Sequence, residues 1–182
     1  MNLPNKITIA RICMIPIFLI FMLVPGITYG NYIAAGIFIL AGLTDKLDGY
    51  LARKNNQITN FGKFMDPLAD KLLVCSALIC LVEYKLIPSW IVITIIAREF
   101  IISGFRLIAS DNGVVIAAGW WGKLKTTVQI VLCAMLLINL DNSFINVLEQ
   151  VTIYLALVLT VISLVDYMVK NKHVLHEGGN KK

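Results

Sequence analysis

The sequence predicts an all-α integral membrane protein: a bundle of six transmembrane helices with both termini in the cytoplasm. Of its 182 residues, 58% are hydrophobic and only 15% are charged, whereas a soluble domain has about 25% charged residues. The apolar residues form six runs, each long enough to cross about 30 Å of hydrocarbon as a helix. We therefore expect one membrane domain over residues 1–182, with a short polar tail at 170–182.

The bounds of the six predicted helices follow from polar or turn-forming residues between the apolar runs. The first run lacks a small-residue cleavage site and is followed directly by Pro25 and Gly26. It is therefore interpreted as a retained helix and not as a signal peptide. The predicted helices are Ile7–Val24, Tyr32–Arg53, Gly62–Val82, Ile87–Ala109, Ala117–Leu140 and Val147–Val169.

The distribution of basic residues predicts the orientation. The connections at Pro25–Asn31 and Asp141–Asn146 carry no Lys or Arg, and the one at Glu83–Lys85 carries only Lys85. All other basic residues fall on the opposite side or in the helix halves nearest to it. Cytoplasmic loops of membrane proteins are rich in Lys and Arg, so the termini and the Asp45–Asp70 segment are predicted to face the cytoplasm. The expected location is the cell membrane (inner or plasma membrane), as a multi-pass protein. The net charge of +5 does not indicate nucleic-acid binding, because the basic residues are divided among apolar runs.

Several predicted helices carry charges well before their cytoplasmic ends. Arg98 and Glu99 lie midway along the fourth, and Lys123 and Lys125 open the fifth. Charges at such depth are costly unless they pair or line a wet cavity. The pattern predicts a hollow in the inner half of the bilayer, open to the cytoplasm. It would be acidic on the second and third helices and basic on the fourth and fifth.

Four aspartates dominate the segment between the second and third helices. The residues follow the frame D-x2-D-G-x2-A-R, then eight residues, then G-x3-D-x3-D. On a helix each half of this frame lies on one face, and Asn-rich sequence between the halves predicts a turn. Clustered carboxylates require a cation, and their hard oxygens suit one or two Mg²⁺ or Mn²⁺ ions. The predicted metal ligands are Asp45, Asp48, Asp66 and Asp70.

This frame is similar, position for position, to the motif of the CDP-alcohol phosphotransferases, which join a CDP-linked alcohol to a second alcohol and release CMP. The resemblance implies CDP-diacylglycerol as the lipid donor and Asp70 as the base that deprotonates the attacking hydroxyl. It also implies that six-helix protomers form a homodimer in membrane lipid. The small residues of the frame leave room for the nucleotide, and Arg53 and Thr59 are expected to contact it. The predicted nucleotide-side residues of this segment are Gly49, Ala52, Arg53, Thr59 and Gly62.

The N-terminal run Pro4-Asn5-x2-Thr8-x2-Arg11 resembles the one that precedes the first helix in many prokaryotic members of the family. Thr8 and Arg11 are predicted to reach the nucleotide or its diphosphate, as part of the CDP-diacylglycerol site. The alternative is ordinary helix capping by Asn5 together with an orienting arginine.

Four basic residues are predicted to bind the phosphate of the acceptor, since guanidinium and ammonium groups suit a dianion. They are Arg98, Arg106, Lys123 and Lys125. The alternative is a buried Arg98–Glu99 ion pair with an interfacial Arg106. The run Gly122–Thr126 resembles a segment of family members whose acceptor is sn-glycerol 3-phosphate.

Two other functions remain open from the residues. The same chemistry could use a different acceptor, such as inositol phosphate. A divalent-metal transporter would also place carboxylates in the membrane, but the basic residues would repel a permeating cation. Asp166, near the end of the last helix, has no assigned role.

Overall fold

The computed structural model describes residues 3–54, 60–111, 116–117 and 119–172. Within these ranges, the side chains of residues 3–7, 45–64, 66–67 and 111 are not described. The described residues form six α-helices and contain no β-strand, which confirms the predicted all-α class. The helices are α1 (Leu3–Leu23), α2 (Gly30–Lys54), α3 (Asn60–Glu83), α4 (Ser89–Asp111), α5 (Trp120–Ile138) and α6 (Ser143–Lys170).

The helix ends depart from their predicted positions by no more than four residues. α1 begins at Leu3, because Pro4 fits a first turn, where its missing N–H is not needed. Asn5, predicted as a cap, therefore lies inside that turn. α6 begins at Ser143 because Asn142 caps it: the Asn142 side chain accepts a hydrogen bond of 3.0 Å from the backbone N–H of Phe144.

Two helix ends close through residues in the left-handed conformation. Lys85 has a φ of 58°, and the N–H groups of Leu86 and Lys85 donate to the carbonyls of Leu81 and Val82. This pair of bonds is the Schellman motif, and it satisfies carbonyls at the end of α3. At the end of α5, Asn139 has a φ of 48° and its N–H donates to the Met135 carbonyl.

The chain divides into two compact units. Unit 1 comprises Met1–Ile87 and Cys133–Asp141, and unit 2 comprises Pro88–Leu132 and Asn142–Lys182. In unit 1, α1 packs against α2 and α3, and α2 also contacts α3. Short connections make successive helices of this unit antiparallel, so the start of α1, the end of α2 and the start of α3 lie at one end. In unit 2, α4 packs against α6.

α6 buries three polar side chains among apolar ones and exposes an apolar face. Its buried residues include Glu149, Thr160 and Ser163. Every exposed side chain between residues 151 and 165 is aliphatic or belongs to Tyr154. A helix at a soluble surface shows the reverse arrangement, with its apolar stripe facing the core.

Within the described residues, two helices are long and apolar enough to cross a membrane: Trp120–Ile138 and Ser143–Lys170. Thr8–Leu23 and Gly30–Thr44 are shorter apolar stretches. Together with six helices in the described part of the chain, these apolar helices indicate a membrane protein. Charged residues within α3 and α4 interrupt the apolar sequence there.

Candidate functional site

The aspartate frame lies on the end of α2 and the start of α3. Asp45 and Asp48 belong to α2, while Asp66 and Asp70 belong to α3. These helix segments lie at the same end of unit 1, as the frame predicts. α3 begins at Asn60, two residues before its predicted start at Gly62.

Most side chains of the frame that are predicted to bind metal or nucleotide lie outside the part of the structure that is described. The half-buried Asp70 is described, and its neighbour Ala69 is fully buried. No group of three or more His, Cys, Asp or Glu side chains that could hold a metal occurs among the residues that were described. The metal role therefore stays a prediction, although its donor set has the oxygen chemistry that Mg²⁺ and Mn²⁺ prefer. The residues of the frame whose side chains lie outside the description are Asp45, Asp48, Gly49, Ala52, Arg53, Thr59, Gly62 and Asp66.

Thr8 and Arg11 share a buried face of α1. Their exposed fractions are 1% and 2%, and a spacing of three residues puts them on one side of the helix. α1 packs against the two helices that carry the aspartates, and Thr8 and Arg11 lie near the end where the frame lies. Burial of an arginine is costly unless the charge is compensated. An interfacial, orienting Arg11 would be exposed, whereas Arg11 is buried; its contact with the nucleotide or diphosphate stays a prediction.

The second charged group lies in unit 2, where three residues form a cluster. One oxygen of Glu99, Oε1, accepts from Arg98 Nη1 at 2.9 Å and from Lys125 Nζ at 2.6 Å. The side chains of Arg98 and Lys125 are 8% and 1% exposed, and that of Glu99 is 18% exposed. Two predicted phosphate ligands from different helices are thus brought together.

Two nitrogens of the Arg98 guanidinium donate hydrogen bonds, and the third lies beside Gly122. Nε donates to Ser163 Oγ at 3.1 Å, and Ser163 in turn donates to the Thr160 carbonyl at 3.0 Å. Nη1 donates to Glu99, and Nη2 lies so close to Gly122 that an added Cβ there would be 3.3 Å away. The orientation of Arg98 therefore depends on α4, α5 and α6 together.

Because they share one oxygen, Arg98 Nη1 and Lys125 Nζ are separated by at most about 5.5 Å, the sum of their distances to it. Two like charges at about 5 Å repel by roughly 3 kcal/mol at an effective dielectric constant of about 20. Glu99 offsets this repulsion and leaves the three side chains with a net charge of +1. Such a cluster can bind an anion without a large barrier to assembling the cations.

Arg106 and Lys123 do not join this cluster, and both side chains are exposed. Arg106 follows Arg98 by eight residues, which is about 12 Å along a helix. Lys123 precedes Lys125 by two residues, which is about 200° around the helix axis. Their predicted contact with an acceptor phosphate stays a prediction.

The sequence did not indicate two contributors to this cluster. The sequence pairs Glu99 only with its neighbour Arg98, because the contact of Glu99 with Lys125 spans 26 positions. It assigns no role to Ser163. The available signal is the small polar pair Thr160 and Ser163, three residues apart on one face of an otherwise apolar stretch of α6.

An all-helical chain with this aspartate frame and these buried cations defines an enzyme class, and comparison with known proteins identifies it. The family model of CDP-alcohol phosphatidyltransferase matches residues 1–162. The chain belongs to this family.

Similar proteins include three bacterial enzymes that bear the name CDP-diacylglycerol–glycerol-3-phosphate 3-phosphatidyltransferase. The protein from Bacillus subtilis (strain 168) is 47% identical, over 96% of this chain and 97% of its own length. The one from Haemophilus influenzae is 41% identical, over 92% and 91%. The one from Escherichia coli (strain K12) is 39% identical, over 92% and 93%.

Proposed function

We propose that this protein transfers the phosphatidyl group of CDP-diacylglycerol to sn-glycerol 3-phosphate, giving phosphatidylglycerophosphate and CMP. It is thus a phosphatidylglycerophosphate synthase of phospholipid biosynthesis. The relatives' names support the reaction, because the similarity extends over nearly the whole of each chain. The observation that carries a phosphorylated acceptor is the pair of buried cations on Glu99, and the relatives' names favour sn-glycerol 3-phosphate over inositol phosphate. A phosphate monoester requires such cations, whereas an uncharged alcohol does not.

The donor binds at the end of unit 1 where α1 starts and α2 meets α3. Thr8 and Arg11 contact the nucleotide or diphosphate, and their burial on the face of α1 supports this role. Gly49, Ala52 and Gly62 allow the nucleotide to approach the backbone. Arg53 contacts phosphate, and Thr59 donates its hydroxyl to the nucleotide.

The family uses divalent metal ions, and we propose two Mg²⁺ or Mn²⁺ ions here. Asp45, Asp48, Asp66 and Asp70 would hold them, since four carboxylates supply the required hard oxygen donors. Bound metal supplies charge neutralisation for the diphosphate and for the leaving CMP. Three of these side chains lie outside the described ones, so this assignment depends on the sequence frame.

The chemical step is a direct displacement at phosphorus. The acceptor hydroxyl oxygen attacks the phosphorus that bears the diacylglycerol, and the bond from that phosphorus to the CMP oxygen breaks. Asp70 takes the hydroxyl proton as the P–O bond forms, when that hydroxyl has become more acidic. No Ser, His or Cys occurs between Asp45 and Asp70 to act as a covalent nucleophile. We therefore propose a single step with inversion at phosphorus.

The protein is integral to the cell membrane, with its termini and active site on the cytoplasmic side. The apolar exposed face of α6, with Glu149, Thr160 and Ser163 buried inside, supports a lipid environment. The near absence of basic residues from alternate connections supports the orientation. We also propose that residues 1–182 act as one domain and that two chains form a homodimer, as family resemblance implies.

The test is CMP release by the purified protein in detergent micelles with CDP-diacylglycerol and Mg²⁺. Separate reactions contain sn-glycerol 3-phosphate, inositol phosphate, glycerol or serine. The proposal expects CMP release with sn-glycerol 3-phosphate and almost none with the others. Preference for inositol phosphate would keep the chemistry but change the acceptor. No CMP release with any alcohol would contradict the enzymatic function.

A further inference from the structure

Glu99 connects the two buried cations of unit 2. The proposed reaction does not by itself give Glu99 a role. Its Oε1 is 2.9 Å from Arg98 Nη1 and 2.6 Å from Lys125 Nζ. Arg98 immediately precedes it in α4, whereas Lys125 lies on α5. A single carboxylate oxygen of Glu99 therefore contacts both cations.

We propose that Glu99 is a positioning residue of the acceptor site, which holds Arg98 and Lys125 at the spacing that receives the phosphate of sn-glycerol 3-phosphate. This inference depends on the proposed function for its substrate. Glu99 acts through the two cations and does not touch the reacting atoms.

The contacts of Arg98 explain why a carboxylate is needed at this position. Ser163 fixes Nε and Gly122 leaves space beside Nη2, but neither carries a charge. Glu99 carries a negative charge and contacts both cations. Removing its charge leaves two cations about 5 Å apart, and they are expected to move apart by changing side-chain conformation. The phosphate would then have to bring them together again on binding.

The net charge of the cluster also separates this role from that of a simple structural ion pair. A structural pair would be neutral, whereas Arg98, Lys125 and Glu99 together carry one excess positive charge. Glu99 keeps 18% of its side-chain surface exposed, while Lys125 keeps 1%. The cluster is therefore partly open, and its charge is complementary to a phosphate monoester.

The experiment measures steady-state kinetics of Glu99→Gln with both substrates varied. We expect KM for sn-glycerol 3-phosphate to rise by about tenfold or more, with KM for CDP-diacylglycerol and kcat each within about twofold. Asp166→Asn is the matched control. It removes another ion-paired carboxylate of unit 2, 23% exposed and 2.7 Å from Lys170, and should leave both KM values unchanged.

A second variant keeps the test decisive if Glu99→Gln does not fold. Glu99→Asp retains the charge but withdraws the oxygen by one methylene, and should raise KM for the acceptor by about threefold with kcat retained. The double variant Glu99→Gln/Lys125→Met should have about the KM of Lys125→Met alone, since coupled residues are non-additive.

Three results would overturn the inference. They are an unchanged acceptor KM in Glu99→Gln or Glu99→Asp, equal rises in both KM values, and additive effects in the double variant. A merely structural Glu99 would lower the thermal unfolding midpoint and kcat without selecting one substrate. Failure of the proposed function is distinguishable, because the wild-type protein would then release no CMP with sn-glycerol 3-phosphate.

Discussion

Lys125 Nζ lies 2.6 Å from Glu99 Oε1, although the two residues are 26 positions apart and belong to different helices. This contact brings the start of α5 to the middle of α4 and places the ammonium group beside Arg98. Arg98, Glu99 and Lys125 therefore form one cluster, whereas in the sequence the lysine lies far from the other two, within a separate apolar run. The predictions about the acceptor depend on this arrangement.

Removing either buried cation should weaken acceptor binding selectively. Arg98→Ala and Lys125→Ala are each expected to raise KM for sn-glycerol 3-phosphate by about tenfold to a hundredfold, because a hydrogen bond to a charged group contributes about 1.5–3 kcal/mol. KM for CDP-diacylglycerol should change much less. Initial rates of CMP release with each substrate varied provide the measurement.

Two further lysines calibrate this result. Lys170→Ala removes a lysine of unit 2 that is 64% exposed, and should leave both KM values at the wild-type level. Lys123→Ala tests the predicted role of Lys123 directly, and its exposure leads us to expect a smaller effect than that of Lys125→Ala. Equal effects on donor and acceptor would remove Arg98 and Lys125 from the acceptor site.

Gly122→Ala should disturb the same site without removing a charge. The added Cβ would lie 3.3 Å from Arg98 Nη2, and Ser163 and Glu99 restrain Arg98 from moving aside. We expect about a threefold rise in the acceptor KM with little change in kcat. Gly104→Ala is the control, because its Cβ would meet nothing within 4 Å. Similar kinetics for the two alanine variants would count against the close fit at Gly122.

The number of helices and their approximate bounds could be predicted because apolar runs and turn residues carry a strong local signal. The helix ends were less accurate because they depend on short-range contacts. α6 begins at Ser143, four residues before the prediction, because Asn142 caps it through one side-chain hydrogen bond. Lys85 ends α3 in a left-handed conformation, which a β-branched or bulky residue would rarely adopt.

Residue types and their spacing could predict which residues are candidates for the site, but not which of them come together. The sequence indicated Arg98 and Lys125 as phosphate ligands because both are charges within apolar runs. It could not separate them from Arg106 and Lys123, since only the rotation of α4 and α5 determines which side chains are buried. Ser163 was missed because a serine in an apolar helix has many ordinary roles.

Asp70→Asn should abolish turnover while CDP-diacylglycerol binding is largely retained. The amide cannot take the proton of the acceptor hydroxyl, and general-base catalysis typically contributes about 10²–10⁴-fold. We expect kcat to fall by at least about a hundredfold. Binding of the CDP-lipid to the purified variant is measured separately, by equilibrium dialysis. Full activity of the variant would exclude Asp70 as the base.

Asp45→Asn or Asp66→Asn should change the dependence on metal. Loss of one carboxylate ligand weakens binding of a divalent ion, so the Mg²⁺ concentration for half-maximal activity should rise by about tenfold or more. Titration of activity with Mg²⁺ at saturating substrates provides the measurement, with Asp166→Asn as the control. An unchanged titration curve in both variants would contradict the proposed metal site.

Gly30→Ala should destabilise unit 1. The added Cβ would clash with the backbone oxygen of Phe21, so the start of α2 must move. We expect a loss of about 1–3 kcal/mol in the free energy of unfolding. Gly36→Ala, in the same helix, meets nothing within 4 Å and should be neutral or stabilising by up to about 1 kcal/mol. Thermal unfolding midpoints in detergent compare the two, and equal midpoints would contradict the close contact.

The central claim is that this protein joins a phosphatidyl group to the hydroxyl of sn-glycerol 3-phosphate. The most direct measurement incubates the purified protein with CDP-diacylglycerol, Mg²⁺ and radiolabelled sn-glycerol 3-phosphate, and quantifies labelled lipid and CMP together. The account predicts phosphatidylglycerophosphate and CMP in equal amounts, and neither product when sn-glycerol 3-phosphate is omitted. CMP release without formation of a labelled lipid would contradict it.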